Sequence, residues 1–201
     1  MFYEPARGHG LPHDPLNAIV APRPIGWIST RGRLGDNLAP YSFFNAVAYT
    51  PPQVMFATTS GKADRPRGKD TAAQAEESGV FCVNLVGWDA RAAMNATSAA
   101  LPAGADEFAH AGIAKAACTT IDCPRVADAP AALECRVSGI VALKGQGNLL
   151  ILGEVAGIHL RDDCLHGGRF DVLRAGLIGR LGYRDYVRVA EVFAMPRPGE
   201  G

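Results

Sequence analysis

An all-β barrel or sandwich with a few short helices on its rim is the architecture this sequence predicts. Three observations point there. Twenty-three glycines and 14 prolines in 201 residues, without a short period, imply many turns and therefore short elements. Short β-branched and aromatic runs recur between Gly, Pro, Asn and Asp clusters. Two longer apolar runs, residues 133–143 and 149–160, flank Lys144-Gly-Gln-Gly-Asn148, which has hairpin chemistry, so they should pair antiparallel. The regular strand–helix alternation of a doubly wound sheet is missing. With 48% apolar residues the chain has material for one core, and a domain of this size buries roughly 70% of its unfolded surface.

Taken in order, residues up to Asp14 read as a loose arm. Residues 16–20 and 25–30 read as two short strands, interrupted by Ala21-Pro-Arg-Pro24, whose prolines forbid a regular central ladder. Gly32-Arg-Leu-Gly-Asp36 is a turn, and 38–44 and 53–58 are strands separated by Thr50-Pro-Pro52. Residues 60–69 form a loop. Thr71-Ala-Ala-Gln74 fits a capping box that opens a helix, and Gly79 is placed to stop it. Residues 80–86 are a strand, and Asp89 is positioned to cap a short helix to about Asn95. Residues 102–130 read as irregular. After the long hairpin, 172–177 reads as a short helix and 186–193 as a last strand.

Charge narrows the function. Twenty Lys and Arg balance 20 Asp and Glu, which argues against nucleic-acid or membrane-surface binding through clustered cations. The cysteines at 82, 118, 123, 135 and 164 are odd in number and irregular in spacing, as reduced thiols of a cytoplasmic protein would be. Glu4, Arg7 and three prolines interrupt the first 15 residues where a signal peptide needs an apolar stretch. The apolar run at 149–160 contains Glu154 and His159 and is too short to span a bilayer.

The sharpest chemical feature is the stretch Ser60-Gly-Lys-Ala-Asp-Arg-Pro-Arg-Gly-Lys-Asp-Thr71. Lys62, Arg65, Arg67 and Lys69 face only Asp64 and Asp70, directly before a helix start. Unpaired amides and a partial positive charge make such a start a phosphate site, with Lys69 as charge and Thr71 as donor. A solvated basic loop before an ordinary helix has the same composition. The glycine spacing is not that of a Walker loop, and Gly145-Gln-Gly147 lacks the following helix of a dinucleotide fingerprint. Neither Cys118/Cys123 nor the group His159, Asp162, Asp163, Cys164, His166 has zinc-like spacing, so no metal is expected. Cys82 and Cys135 lie in apolar strands and read as core. Ser29, Ser42 and Ser98 lack a nucleophile's framing. Trp27, Tyr41, Phe43 and Phe44 flank Ser29, Thr30, Asn37 and Ser42 on neighbouring strands, where they either line a cleft for a planar ring or fill the core.

Arg23-Pro-Ile-Gly-Trp-Ile-Ser-Thr30, Asn37-Leu-Ala-Pro-Tyr-Ser-Phe-Phe-Asn45, Pro51-Pro-Gln-Val-Met-Phe56 and Lys69-Asp-Thr71, in that order, resemble the flavin reductase-like family. The likeness continues through Gly79-Val-Phe-Cys-Val-Asn84, Met94-Asn-Ala-Thr-Ser98, Asp106-Glu-Phe108, Pro124-Arg-Val126, Leu133-Glu-Cys135 and Gly153-Glu-Val155, and covers about residues 16–193. It leaves 1–15 as an arm and 194–201 as a tail. The resemblance implies a mainly β, antiparallel split barrel of Greek-key type, a homodimer, and FMN near the subunit interface. It implies that Trp27, Ser29, Thr30, Asn37 and Ala39 flank the ring and ribityl chain. Tyr41, Ser42, Phe43 and Thr58 belong to the same expected set, while Lys69 and Thr71 hold the phosphate. His159, Arg180 and Tyr183 correspond to positions bordering the flavin or nicotinamide, and His159 is the one candidate for a catalytic role. Gln74 departs from the Asn often found in that helix.

Three activities compete. An NAD(P)H-dependent flavin reductase, with or without a partner monooxygenase, is the first expectation. No side-chain nucleophile is then needed, because FMN supplies the electronics. Backbone amides of residues 37–43 or 57–60 could balance the reduced flavin's charge. An FMN-bearing electron carrier reduced by a protein partner is the second, and a non-redox ligand-binding barrel the third.

Overall fold

Strand β2 (Gly26–Gly32) shows how the architecture arises. Its first five residues are all buried because both faces of the sheet are covered. Side chains alternate across a strand, so Ile28 joins one apolar cluster, with Tyr41, Phe44, Phe56, Phe81 and Ile151, while Trp27 joins another, with Leu38, Met94 and Phe108.

The computed structural model describes residues 1–59 and 69–199. It is mainly β, with one large antiparallel sheet and a few short helices. In that sheet β2 lies between β3 (Gly35–Tyr41) and β6 (Val80–Leu85). Beyond β6 come β9 (Ala131–Ala142), β10 (Leu149–Leu160), β5 (Pro52–Thr58) and β4 (Phe44–Tyr49). A smaller sheet joins β1 (Arg23–Pro24), β13 (Ile178–Arg180) and β14 (Tyr186–Arg188). Two hairpins complete the strands: β7 (Lys115–Ala117) with β8 (Pro124–Val126), and β11 (Leu165–His166) with β12 (Arg169–Phe170). The helices are α1 (Leu16–Ile19), α2 (Asp70–Ser78), α3 (Arg91–Ala96) and α4 (Glu107–Ala111).

The β9–β10 hairpin forms as expected, in antiparallel register from Leu149 opposite Ala142 to Leu160 opposite Ala131. Gly79 ends α2 in the left-handed region, with φ of 71°, where a side chain would be strained. Tyr41, Phe56 and Phe81 stack through the core at centroid spacings of 5.1 Å.

Several expectations are corrected. Residues 16–20 form the single turn α1 after Pro15, not a strand, and Leu16, Ile19 and Val20 are exposed, so their apolar character reflects no core face. Residues 38–44 are broken at Ser42 into β3 and β4. The 102–130 segment contains α4, β7 and β8, all shorter than a periodicity window. Residues 172–177 are turns rather than a helix, and the last strand stops at Arg188. Asp89 lies within a 3-10 turn (Trp88–Ala90) instead of capping α3.

Candidate functional site

Where β3 ends, the chain turns through Tyr41-Ser-Phe43 and faces three other segments: the N-terminal arm, the start of α2, and the link after β13. Between them lies a cavity of about 600 Å³, lined by His13 and Asp14 of the arm, Asn17 of α1, Arg23, Tyr41–Phe43, Lys69, Arg180 and Tyr183. A second cavity of about 170 Å³, lined by Asn37, Ala39, Asp70, Thr71, Ser98 and Glu107, shares Pro40, Tyr41 and Lys69 with it. The two form one bent cleft.

Lys69 is the N-cap of α2, with extended backbone and its side chain not capping, so the helix start faces the cleft beside a cation. The capping box is corrected here. Thr71 lies inside the first turn, where its hydroxyl accepts from Asn37 Nδ2 at 2.9 Å. Gln74 reaches across the sheet instead, accepting from Thr30 Oγ1 at 2.7 Å and donating to the Gly35 carbonyl at 3.2 Å. Gly32 permits this, since a Cβ there would come 2.7 Å from Gln74 Cγ. Lys62, Arg65, Arg67 and Asp64 lie outside the described residues.

Among the described residues, three buried side-chain polar atoms make no aligned hydrogen bond: Tyr41 Oη, Thr58 Oγ1 and Arg23 Nε. Tyr41 and Arg23 line the cleft; Thr58 does not, because alternation along β5 turns it with Val54 and Phe56 to the buried face while Ala57 and Thr59 line the cleft. Buried polar groups are normally paired, so this concentration marks a place built for a partner. Burial pushes the Tyr41 phenol up to about 12; the Thr71 hydroxyl facing it opposes this, and Glu107 adds to it, so the phenol stays a neutral donor. Arg23 spends its other nitrogens on the carbonyls of Asn17 (2.6 Å), Leu181 (2.8 Å) and Val20, tying α1 to the far wall. Burial, then the nearby Arg180 charge, lower its pKa. Arg180 donates to Tyr186 Oη and to the Tyr183 carbonyl, and Tyr183 holds φ of 55°, uncommon for a residue with a side chain.

The structure thus brings Asn37, Ala39, Tyr41, Ser42, Phe43, Lys69 and Thr71 together with Arg180 and Tyr183. It does not bring the side chains of Trp27, Ser29, Thr30, Thr58 or His159 to the cleft of this chain. Trp27 Nε1 donates to Thr97 Oγ1 at 2.9 Å, and its ring borders a separate cavity of about 370 Å³ with Trp88. Ser29 Oγ donates to the Pro124 carbonyl at 2.6 Å and accepts from Asn84 Nδ2 at 3.0 Å. His159 pairs with the buried carboxylate of Glu134, which also accepts from the amides of Thr119 and Thr120 at 2.6 Å. The Ala57 amide donates to the Phe43 carbonyl at 2.8 Å and is unavailable to a ligand. Sequence reasoning missed Arg23 and the arm. A cation held between two prolines in an apolar stretch was the available signal for the first. Among the described residues no group of His, Cys, Asp and Glu could hold a metal ion.

The model of the flavin reductase like domain matches residues 20–174. The chain belongs to the flavin reductase-like family. An uncharacterized protein of Deinococcus radiodurans is 40% identical to this flavin reductase-like chain, covering 90% of it and 82% of the relative. Its structure is similar to nitrilotriacetate monooxygenase component B from Bacillus cereus, with TM-score 0.84, 29% identity and 90% of each chain covered. It is also similar to the 2-nitrobenzoate 2-nitroreductase of Pseudomonas fluorescens, with TM-score 0.80 and 28% identity over 91% of this chain and 88% of that one. A flavin is the cofactor that membership of this family implies. The orphaned Tyr41 hydroxyl, the cation at a helix start and a cleft several hundred Å³ in volume fit such a group.

Proposed function

We propose that this protein is an FMN-dependent reductase that takes a hydride from NADH or NADPH. The observation that carries the reading is the cleft in which Lys69 and the start of α2 meet the Tyr41 hydroxyl, buried without an aligned hydrogen bond, opposite Arg180 and Tyr183. When bound, FMN supplies the hydride-accepting chemistry. Lys69 and the first amides of α2 would hold its phosphate, with the Thr71 hydroxyl, positioned by Asn37, at their side. Tyr41 would donate to its polar edge. Ala39, Ser42 and Phe43 form the wall beside it. Trp27, Ser29 and Thr30 support the site from behind by fixing β2. Arg180 and Tyr183, across the cleft, would receive the nicotinamide nucleotide, whose phosphates suit the Arg23–Arg180 pair.

The reading extends to a homodimer in a reducing cytoplasm. A solution mass equal to one chain would exclude the dimer. His159 reaches a flavin in this scheme only across a subunit interface; unchanged nicotinamide affinity and turnover in His159→Ala would remove it. Spectra of the purified protein with FMN, before and after each nicotinamide under anaerobic conditions, test the whole reading. Flavin uptake and bleaching by one nucleotide are expected. A protein that takes up no FMN is no flavoprotein, and one that stays yellow with both nucleotides is an electron carrier or the flavoprotein half of another reaction.

A further inference from the structure

Away from the cleft, three of the five cysteines converge. Cys82 on β6 and Cys123 sit in a small buried cluster with Ile121 and Ala132, and Cys118 packs against it. All three are free thiols. Cys118 and Cys123 face each other at the end of the β7–β8 hairpin: Ala117 is registered with Pro124, and one step further the Cys118 amide donates to the Cys123 carbonyl at 3.2 Å. Opposed positions of an antiparallel pair hold their Cα atoms about 4.5–5.5 Å apart, within the range a disulfide spans. The same two residues line a cavity of about 220 Å³ whose wall also carries Arg31, Lys115 and Asp122. The hairpin is anchored, because Lys115 binds Asp36 at 2.7 Å and Asp106 at 2.6 Å, and Arg31 binds Asp36 and Asp122 at 2.7 Å each.

We propose that Cys118 and Cys123 are a redox-active dithiol that exchanges with small disulfides entering this cavity. Cys118 is the attacking thiol. It is only half-buried, whereas Cys82 and Cys123 are almost fully enclosed. Hydrogen bonds from Cys123 and then Cys82 lower its pKa far below the usual thiol range; burial and Glu134 oppose the shift, and His159 assists it. Those hydrogen bonds, and then burial, push Cys82 and Cys123 up, so they keep their protons. Cys123 is the resolving thiol because it shares both the hairpin and the cavity with Cys118, while Cys82 does not line the cavity.

In the first step the Cys118 thiolate attacks one sulfur of a disulfide RSSR. A Cys118–S–S–R bond forms, the original S–S bond breaks, and RS⁻ leaves and takes from solvent the proton that Cys118 gave up on becoming a thiolate, giving RSH. In the second, Cys123 loses its proton and attacks the Cys118 sulfur, forming the Cys118–Cys123 bond and expelling the other RS⁻, which takes up that proton. The protein loses two electrons and two protons, and RSSR becomes two RSH. A dithiol reductant reverses both steps.

The test is incubation of the full, reduced protein with oxidised glutathione, followed by alkylation and mass analysis. The expected wild-type product is lighter by two hydrogens, carries no glutathionyl group, and yields a peptide in which Cys118 is joined to Cys123. Cys123→Ser should stop at one glutathionyl adduct on Cys118. The wild-type map decides alone should the variant fail to fold. Five unmodified thiols, or a bridge from Cys118 to Cys82, would overturn the proposal.

Discussion

Among the described residues the buried Tyr41 hydroxyl makes no aligned hydrogen bond, so it is worth more to a ligand than to the fold. Tyr41→Phe should therefore leave the flavin-free protein melting at the same or a higher temperature. The same variant should weaken FMN binding by about three- to tenfold, the worth of one neutral hydrogen bond, in a flavin fluorescence titration. Lys69→Ala should cost more, about ten- to a hundredfold in the same titration, because a charged donor is lost. Glu134 behaves in the opposite way, being paired wholly by the protein. Burial pushes its carboxyl up, but hydrogen bonds from Thr120, the Thr119 amide and His159 outweigh it and hold the group at about 2, against an ordinary 4.5. A lowered carboxyl stabilises the fold above its unfolded value, and that contribution fades as pH falls toward the folded value. About 3 kcal/mol of unfolding free energy should disappear across that interval, and Glu134→Gln should flatten the slope in urea titrations at stepped pH.

At the scale of elements, Asn84 of β6 joins three strands. Its side-chain amide donates to the Trp27 carbonyl at 2.9 Å and to Ser29 at 3.0 Å, and its oxygen accepts from the Val126 amide at 2.8 Å. Asn84→Ala should lower stability by about 3 kcal/mol, read from urea unfolding, since it strands buried groups on β2 and β8 together. The long hairpin and α2 were legible because each carries its own punctuation: a glycine-rich turn between apolar runs in one, Gly79 in the other. α4 carried punctuation too, in Asp106, whose carboxylate accepts from the Phe108 and Ala109 amides, and Gly112 in the left-handed region. It was hidden by being only five residues long. The capping box failed for a tertiary reason, because Thr30 and Gly35 claim the Gln74 side chain that a local rule assigns to the helix start.

At the scale of the molecule, the half of the candidate site borne by contiguous motifs was legible, and the half assembled from distant segments was not. Tyr41, Lys69 and Thr71 sit in short motifs with evident chemistry. Arg23 draws its meaning from Asn17, Val20 and Leu181, partners that only the closed fold supplies. Zero net charge was likewise a whole-chain property that hid a local one. In the larger part of the cleft Arg23, Lys69 and Arg180 stand with Asp14 as the acid of the lining, a field suited to a phosphorylated ligand.

The arm read as loose is part of that wall: His13 packs against Tyr183 with ring centroids 5.6 Å apart, and Asp14 lines the cavity. This bears on how the protein is handled at the bench. A start trimmed beyond Pro12 to remove a seemingly idle segment would take away part of the pocket wall itself. A recombinant form intended for flavin measurements should keep residues 12–17 intact.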